Sequence, residues 1–434
     1  MDESASAGLE AARGVARQAC AAGADAAQAV HVRETQVEVC FDMKRLTLLR
    51  TTEHDTISLD VFKGGRKGAA TIAGRGDALA AGVAEALAAA AAAPSDPAHA
   101  LAEAPALAPR VHGPAAADRD AMIGRALAHI AGVAREFPAV VSRESYHRFL
   151  CSRRSFANSA GLTQQETCGR YGFFTMFSAR RDGRSTSLNY AGATAYRLFD
   201  DLMEAGALRR LYGEAERSLD PRPAPGKFVG DVVIAPGALG DFLWSLAGAL
   251  GGYALMSGTS PYKDSKGARV ASPLFSLLNR PTAAAFPEGR GFDAYGVPTR
   301  DLDVIRDGVL QDFLVDHYVA RKLGLAQTAG VQNFVVPPGA ASEAEIVAGT
   351  ERGILLTRFS GGSPGASLDF SGIAKNSFYV EDGRIRHPLS ETMISGNLRD
   401  LLLAIRAVSR ETVDTGSARL PTIAAGGVTI HGRG

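Results

Sequence analysis

Residues that could carry hydrolytic chemistry are present in this chain, but each arrangement lacks a part. Gly361-Gly362-Ser363-Pro364-Gly365 has the spacing of a nucleophile elbow, with Asp369 or Asp382 and then His387 in the order a serine hydrolase needs. The chemistry fails at Pro364. The oxyanion hole uses the N–H of the residue after the serine, and proline has none. No helix is expected after this segment, so it reads as a flexible glycine loop. Ser260-Pro261-Tyr262-Lys263 has SxxK spacing, yet it follows a helix instead of opening one, and the companion SDN and KTG strings are absent. Metal-dependent hydrolysis needs a cation, usually three protein ligands and an open position for water. The nine histidines are scattered singly, and none lies between His147 and His317. Cys20, Cys40, Cys151 and Cys168 form no CxxC pair and read as free thiols. Neither a Walker loop nor a GxGxxG string occurs, so nothing points to a nucleotide.

The whole-chain balance narrows the classes further. The 434 residues suffice for two or three domains. Hydrophobic residues make up 46% and charged ones 21%, which suits a globular core. A formal net charge of +1, with no basic run interleaved with aromatics, argues against nucleic acid as a partner. The start, Met1-Asp2-Glu3-Ser4, lacks the basic and apolar character of a signal peptide. The longest apolar run, about 86–94, is alanine and too short to span a bilayer. A cytoplasmic protein that does not engage a membrane is therefore expected.

The elements that would position any site follow from periodicity. Helices are expected over 5–22, over 77–93 up to Pro94, over 119–135 and over 199–219. Strand-like runs cover 36–41, 45–49 and 56–62, and strands dominate 139–195. Lys63-Gly64-Gly65-Arg66 and Arg181-Asp182-Gly183-Arg184 read as hairpin turns. Residues 94–118, rich in Pro and Ala, read as a surface connector. Beyond residue 220, a buried strand over 228–234 leads to a helix with Pro236 near its start. There Leu239, Phe242, Leu243, Leu246, Leu250 and Tyr253 fall on one face, which predicts a core face. Gly248, Gly251 and Gly252 weaken that helix by about 1 kcal/mol each against alanine, which suggests close packing. Asp307-Gly308 and Asp382-Gly383 mark two further hairpins, with a helix near 318–324 between them. A last helix starts after Asn397, with Leu398, Leu401, Leu402, Ile405 and Val408 as its apolar stripe. Helices and antiparallel hairpins in blocks predict an α+β fold. The expected division is an N-terminal helix/antiparallel-sheet domain, 1–220, and a C-terminal mixed, mainly antiparallel β domain with packed helices, 221–434.

Several strings in order resemble the TldD/PmbA family of peptidases. Phe292 to Leu310 resembles its "FDxEG…I.DG.L" pattern, and Tyr318-Val-Ala-Arg-Lys-Leu-Gly324 its "SYSARKLG". Asp369-Phe-Ser-Gly372 and Phe378-Tyr-Val-Glu-Asp-Gly383 resemble "GDFSRG…FWIENGEI", and the stretch from Pro388 to Asp400 resembles "PVxEITIAGNLKD". The N-terminal half is similar more loosely, through Phe62 to Ala69. The resemblance implies two subunit types. The TldD type carries HExxxH and a later Cys ligand; the PmbA (TldE) type lacks both and pairs with it to cleave small, unfolded or modified peptides. The helix that would carry HExxxH reads Leu243-Trp244-Ser245-Leu246-Ala247-Gly248, and 415–430 contains no cysteine.

The expectation is thus a metal-free PmbA/TldE-like subunit, with zinc held by a TldD-like partner and no cofactor or catalytic residue in this chain. The alternative is a stand-alone, metal-independent biosynthetic enzyme on the same scaffold, acting as a homodimer. Three departures from an ordinary PmbA motivate that alternative: Tyr253-Ala-Leu-Met256 replaces Tyr-Arg-Lys, Val331-Gln332-Asn333-Phe334 replaces a Gly-Gly pair, and Gly372 replaces an Arg. On the first reading Gly361, Gly362, Ser371 and Gly372 are candidate substrate-binding residues, because bare backbone lets an extended peptide pair as an added strand. The competing reading is that they are plain turns.

Overall fold

A computed structural model describes residues 3–74, 76–328, 333–390 and 392–432. Val331 and Gln332, the first half of the Val331–Phe334 departure noted above, lie outside the described residues. The first half runs α1 Glu3–Ala21, β1 Ala26–Phe41, β2 Leu46–Lys63, β3 Arg66–Ala73, α2 Asp77–Ala92, β4 Arg110–His112, α3 Arg119–Glu136, β5 Val140–Asn158, β6 Thr163–Arg181, β7 Arg184–Ser185, β8 Asn189–Ala195 and α4 Leu208–Arg217. The second half runs β9 Lys227–Ile234, α5 Pro236–Ala249, α6 Gly252–Met256, β10 Leu277–Asn279, β11 Leu302–Arg306, β12 Val309–Leu310, α7 His317–Leu323, β13 Phe334–Val335, α8 Glu343–Ala348, β14 Arg352–Leu356, β15 Arg358–Ser360, β16 Asp369–Lys375, β17 Phe378–Glu381, β18 Arg384–Pro388, β19 Thr392–Asn397, α9 Leu398–Leu403, β20 Ile405–Asp414 and β21 Arg419–Gly432.

Among the described residues the first half forms one eight-stranded sheet, with main order β3-β2-β1-β5-β6-β4. Its strands are far longer than local periodicity suggests: the separate runs at 36–41, 45–49 and 56–62 are parts of just two strands. The Gly64-Gly65 turn, with φ of 57° and 70°, closes β2 onto β3 as its composition requires. Alternation then assigns the faces. Ala27, Ala29, Val37, Val39 and Phe41 of β1 point to one side and are buried there among side chains of α1, α3 and α4. Alanine-rich α2 lies so close to β3 that a Cβ on Gly68 would sit 2.0 Å from the Ala86 carbonyl oxygen. Gln28, Glu34 and Glu38 point to the opposite side, where Gln28 and Glu34 line a space shared with residues 288–290 of the second half.

Among the described residues the second half is built on a thirteen-stranded mixed sheet around β21, which pairs with β9, β13, β19 and β20. Helix α5 packs Leu239, Phe242, Leu243 and Leu246 into the core with Val232, Ile234 and Ile423. The α+β class is what the block pattern of the sequence predicts.

Four local expectations need correction. The α5 helix stops at Leu250, and Tyr253 is 83% exposed on the separate α6. The break comes where Gly251 bridges to Leu314 and Gly252 abuts Val319, whose Cγ2 a Cβ would meet at 2.3 Å. The helix expected over 199–219 is a 3-10 segment, Leu202–Ala207, followed by α4, because Gly206 and Ala207 take positive φ. The final stripe is split: Leu398, Leu401 and Leu402 lie on the six-residue α9, whereas Ile405 and Val408 lie on β20. The connector 94–118 contributes β4, which pairs parallel with β6. Tertiary packing overrides helical periodicity in the first three cases.

Candidate active-site cleft

The polar face of the first sheet and the second half enclose a continuous cleft. Its inner part, about 410 Å³, is lined by Gln28, Glu34, Asp60, Arg154, Glu166 and Arg170 from the sheet, and by residues 288–290 and Ala294 from the covering loop. Arg170 and Glu288 also line the adjoining outer part, of about 530 Å³, with Tyr146, Arg148, Phe174, Tyr190, Thr194, Thr415 and Ser417. Strand register sets this lattice. Val32, Arg154 and Glu166 stand opposite one another on β1, β5 and β6, as do Glu38, Arg148 and Gly172.

The charges are mostly paired. Arg154 NH1 donates to Glu166 at 2.5 Å, and both side chains are only 11% exposed. The other Glu166 oxygen accepts the Gly291 N–H at 2.7 Å, which ties the covering loop to the sheet. Gly296 in that loop has φ of 76° and lies against the Phe156 ring, so no side chain fits there. Gln164 donates to its carbonyl oxygen at 2.8 Å. Arg170 pairs with Glu288 at 3.2 Å. Burial alone would raise the Glu38 carboxyl, but hydrogen bonds from Arg148 and Arg50 outweigh it and hold it below the usual carboxylate range. Burial pushes the Cys168 thiol up, so it stays a thiol at neutral pH. Burial, with Arg154 nearby, lowers Arg290 from the ordinary guanidinium range, although its side chain is reached by water inside the cleft.

The cleft continues to the start of α5. A third cavity, about 170 Å³, shares Tyr190, Gly192 and Thr415 with the outer part and is also lined by Pro236, Gly237, Asp241, Thr357 and Arg358. Burial raises Asp241, against the opposing charge of Arg358. Strand β8, whose residues run along this cavity, pairs only with β6 among the described strands, and on its other side the Thr194 N–H donates to the Thr415 carbonyl and the Tyr190 N–H to Asn189 Oδ1, each at 2.9 Å.

The residues singled out from sequence lie elsewhere. Gly361, Gly362, Ser371 and Gly372 come together, but with one another: Ser371 N–H donates to the Gly362 carbonyl at 3.1 Å, and a Cβ on Gly372 would sit 2.1 Å from the Gly361 carbonyl oxygen. Strand β16, which carries Ser371 and Gly372, is paired with β15 on one side and β19 on the other. An added strand at Ser371 or Gly372 would have to displace β19 or the Gly361-Gly362 backbone. Ser260 is buried and its hydroxyl donates to the Ala249 carbonyl at 2.6 Å, an interaction that closes the end of α5. Asp369 is bonded to Asn397 and Asp382 to Arg386, while His387 packs on Tyr379. At the HExxxH positions Leu243 is buried, Trp244 is 61% exposed and Gly248 faces open space. None of the three offers a metal donor, and no three His, Cys, Asp or Glu side chains among the described residues are grouped to hold an ion. The residues present on α5 do not fit zinc. Sequence reasoning missed Arg154, Glu166, Arg170, Asp241, Arg290, Thr357 and Arg358. For Arg154, Glu166 and Arg170 the available signal was the charged residues on one face of β5 and β6; the other four carry no local signal.

Among the described residues no helix is long and apolar enough to cross a membrane. Residues 225–432 match the PmbA/TldA metallopeptidase C-terminal domain. The chain is 30% identical over 281 residues to the metalloprotease PmbA of Escherichia coli O157:H7, covering 61% of this chain and 60% of that protein. It is 29% identical over 282 residues to a PmbA homologue of Haemophilus influenzae, again covering 61% and 60%. The alignments thus span about three fifths of the length of these curated relatives. The structure of TldE from Thermococcus kodakarensis superposes with a TM-score of 0.84 at 20% identity, over 97% of this chain and 99% of that one, which shows a shared fold.

Proposed function

The chain belongs to the TldD/PmbA family of metallopeptidases, and from that premise we propose that it is a metal-free, PmbA/TldE-like subunit acting with a TldD-like partner. The carrying observation is helix α5. It keeps its place in the core through Leu239, Phe242, Leu243 and Leu246, yet presents no ligand at Leu243, Trp244 or Gly248. In this reading the zinc and its activated water belong to the partner.

This chain's own residues bind and position. The cleft offers alternating guanidinium and carboxylate groups and the aromatic faces of Tyr146, Phe174 and Tyr190. Such a surface suits small, unfolded or modified peptides held extended, with polar groups for the amides and rings for side chains. Paired charges such as Arg154–Glu166 are held rigid and do not need to reorganise when a peptide enters.

Co-expression with a TldD homologue, followed by size-exclusion chromatography and a peptide-cleavage assay, tests this reading. The expected result is one co-eluting, zinc-containing complex that cleaves. Two separate peaks would count against it, and hydrolysis by this chain alone in excess EDTA would favour a metal-independent enzyme instead.

A further inference from the structure

Helix α5 begins without a cap. Pro236 at its first position has no N–H, and no side chain caps the end. The N–H of Gly237, which lines the 170 Å³ cavity, therefore has neither an intrahelical nor a side-chain acceptor among the described residues. Two more donors line the same cavity without a partner among the described residues. Thr357 is only 6% exposed, and its hydroxyl makes no hydrogen bond. Arg358 lies 4.7 Å above the Tyr190 ring and donates one terminal N–H to the Leu188 carbonyl, but its Nε is buried and unpartnered. Buried donors without acceptors are costly and rarely left so. Three on one cavity wall define a site for an acceptor.

We propose that this cavity is a carboxylate subsite that takes the free C-terminal end of a peptide lying in the cleft, with Arg358 Nε, the Thr357 hydroxyl and the Gly237 N–H as its donors. The inference rests on the peptide-holding reading above. The cavity shares Tyr190, Gly192 and Thr415 with the outer cleft, so a chain held there can place its end inside. One water needs about 10–15 Å³ of such space, so 170 Å³ admits a carboxylate and several further non-hydrogen atoms. The start of a helix also favours an anion. Asp241 distinguishes among anions. Its carboxyl lines the cavity and opposes a bound negative charge, which a singly charged carboxylate tolerates better than a phosphate dianion does.

The test is calorimetric titration of the purified chain with a short N-acetylated peptide bearing a free C-terminus, with its C-terminal amide, and with inorganic phosphate. The free acid should bind at least tenfold more tightly than the amide, and phosphate should not displace it. Thr357→Val keeps shape and removes a buried hydroxyl that has no partner among the described residues, so its melting temperature should not fall. It should bind the free acid about tenfold more weakly, the size expected for one hydrogen bond to a charged group. Asp241→Asn should bind it severalfold more tightly. Equal binding of acid and amide would overturn the subsite while leaving the peptide cleft standing. Displacement by phosphate, unchanged binding in Thr357→Val, or no binding of either peptide would each overturn it too. Failure of the subunit reading shows separately, as loss of co-elution with the TldD homologue.

Discussion

Replacing Glu166 with alanine tests whether charge holds the cleft wall in place. Glu166 accepts from Arg154 on the neighbouring strand and from the Gly291 N–H of the covering loop. Removing one member of a buried ion pair costs roughly 3–5 kcal/mol, because the remaining charge is stranded. Water in the cleft reaches this pair from one side, and the Phe292 ring lies 4.7 Å from the Arg154 guanidinium, so the lower end of that range applies. The lost Gly291 bond adds about 1 kcal/mol, for a total of about 4 kcal/mol. Glu166→Gln keeps an acceptor for Gly291 and should cost about 2 kcal/mol. The double variant Arg154→Ala/Glu166→Ala strands no charge and should recover at least about 1 kcal/mol relative to the sum of the single changes. Urea unfolding at pH 7 of these three variants and of Arg154→Ala measures each cost, and limited proteolysis reports whether residues 286–296 loosen. A Glu166→Ala cost below about 0.5 kcal/mol, or strict additivity in the cycle, would refute the argument.

Two further outcomes follow from the fold. His129 and His147 are buried among aromatic rings, and burial depresses each to about 4 from an ordinary 6.5. The unfolded chain therefore binds their protons first, and stability is lost as pH falls from about 6.5 to about 4. At pH 5 each contributes a loss of about 2 kcal/mol, so His147→Gln should lose about 2 kcal/mol less than the parent between pH 7 and pH 5 in urea titrations. Gly252→Ala should destabilise by about 1–2 kcal/mol through collision with Val319, whereas Gly248→Ala, with open space at its Cβ, should stabilise by up to about 1 kcal/mol; thermal melts of the two variants should shift in opposite directions.

The contrast between what was legible and what was not runs along particular residues. Turns were legible because they depend on two or three adjacent positions: Gly64-Gly65, Asp182-Gly183, Asp307-Gly308 and Asp382-Gly383 all take the positive φ their composition favours. The helix starts at Pro236 and Asn397 follow from equally local chemistry. The break after Leu250 was not legible, since Gly251 and Gly252 read as weak helix until Leu314 and Val319 are known to press against them. The same holds for Gly361, Gly362, Ser371 and Gly372: composition marks a close backbone approach, and only the pairing of β15 with β16 says that the approaching backbone is their own.

By itself the sequence determined the α+β class, the family strings and the lack of any His, Glu or Cys from Leu243 to Gly248, because each depends on residue identity along a short stretch. The cleft was decided by tertiary structure alone. Arg154, Glu166 and Gly291 meet through strand register and a covering loop, and Gly237, Thr357 and Arg358 meet through the packing of α5 against a distant hairpin. Register and packing are long-range choices made by the whole core, and no local spacing encodes them.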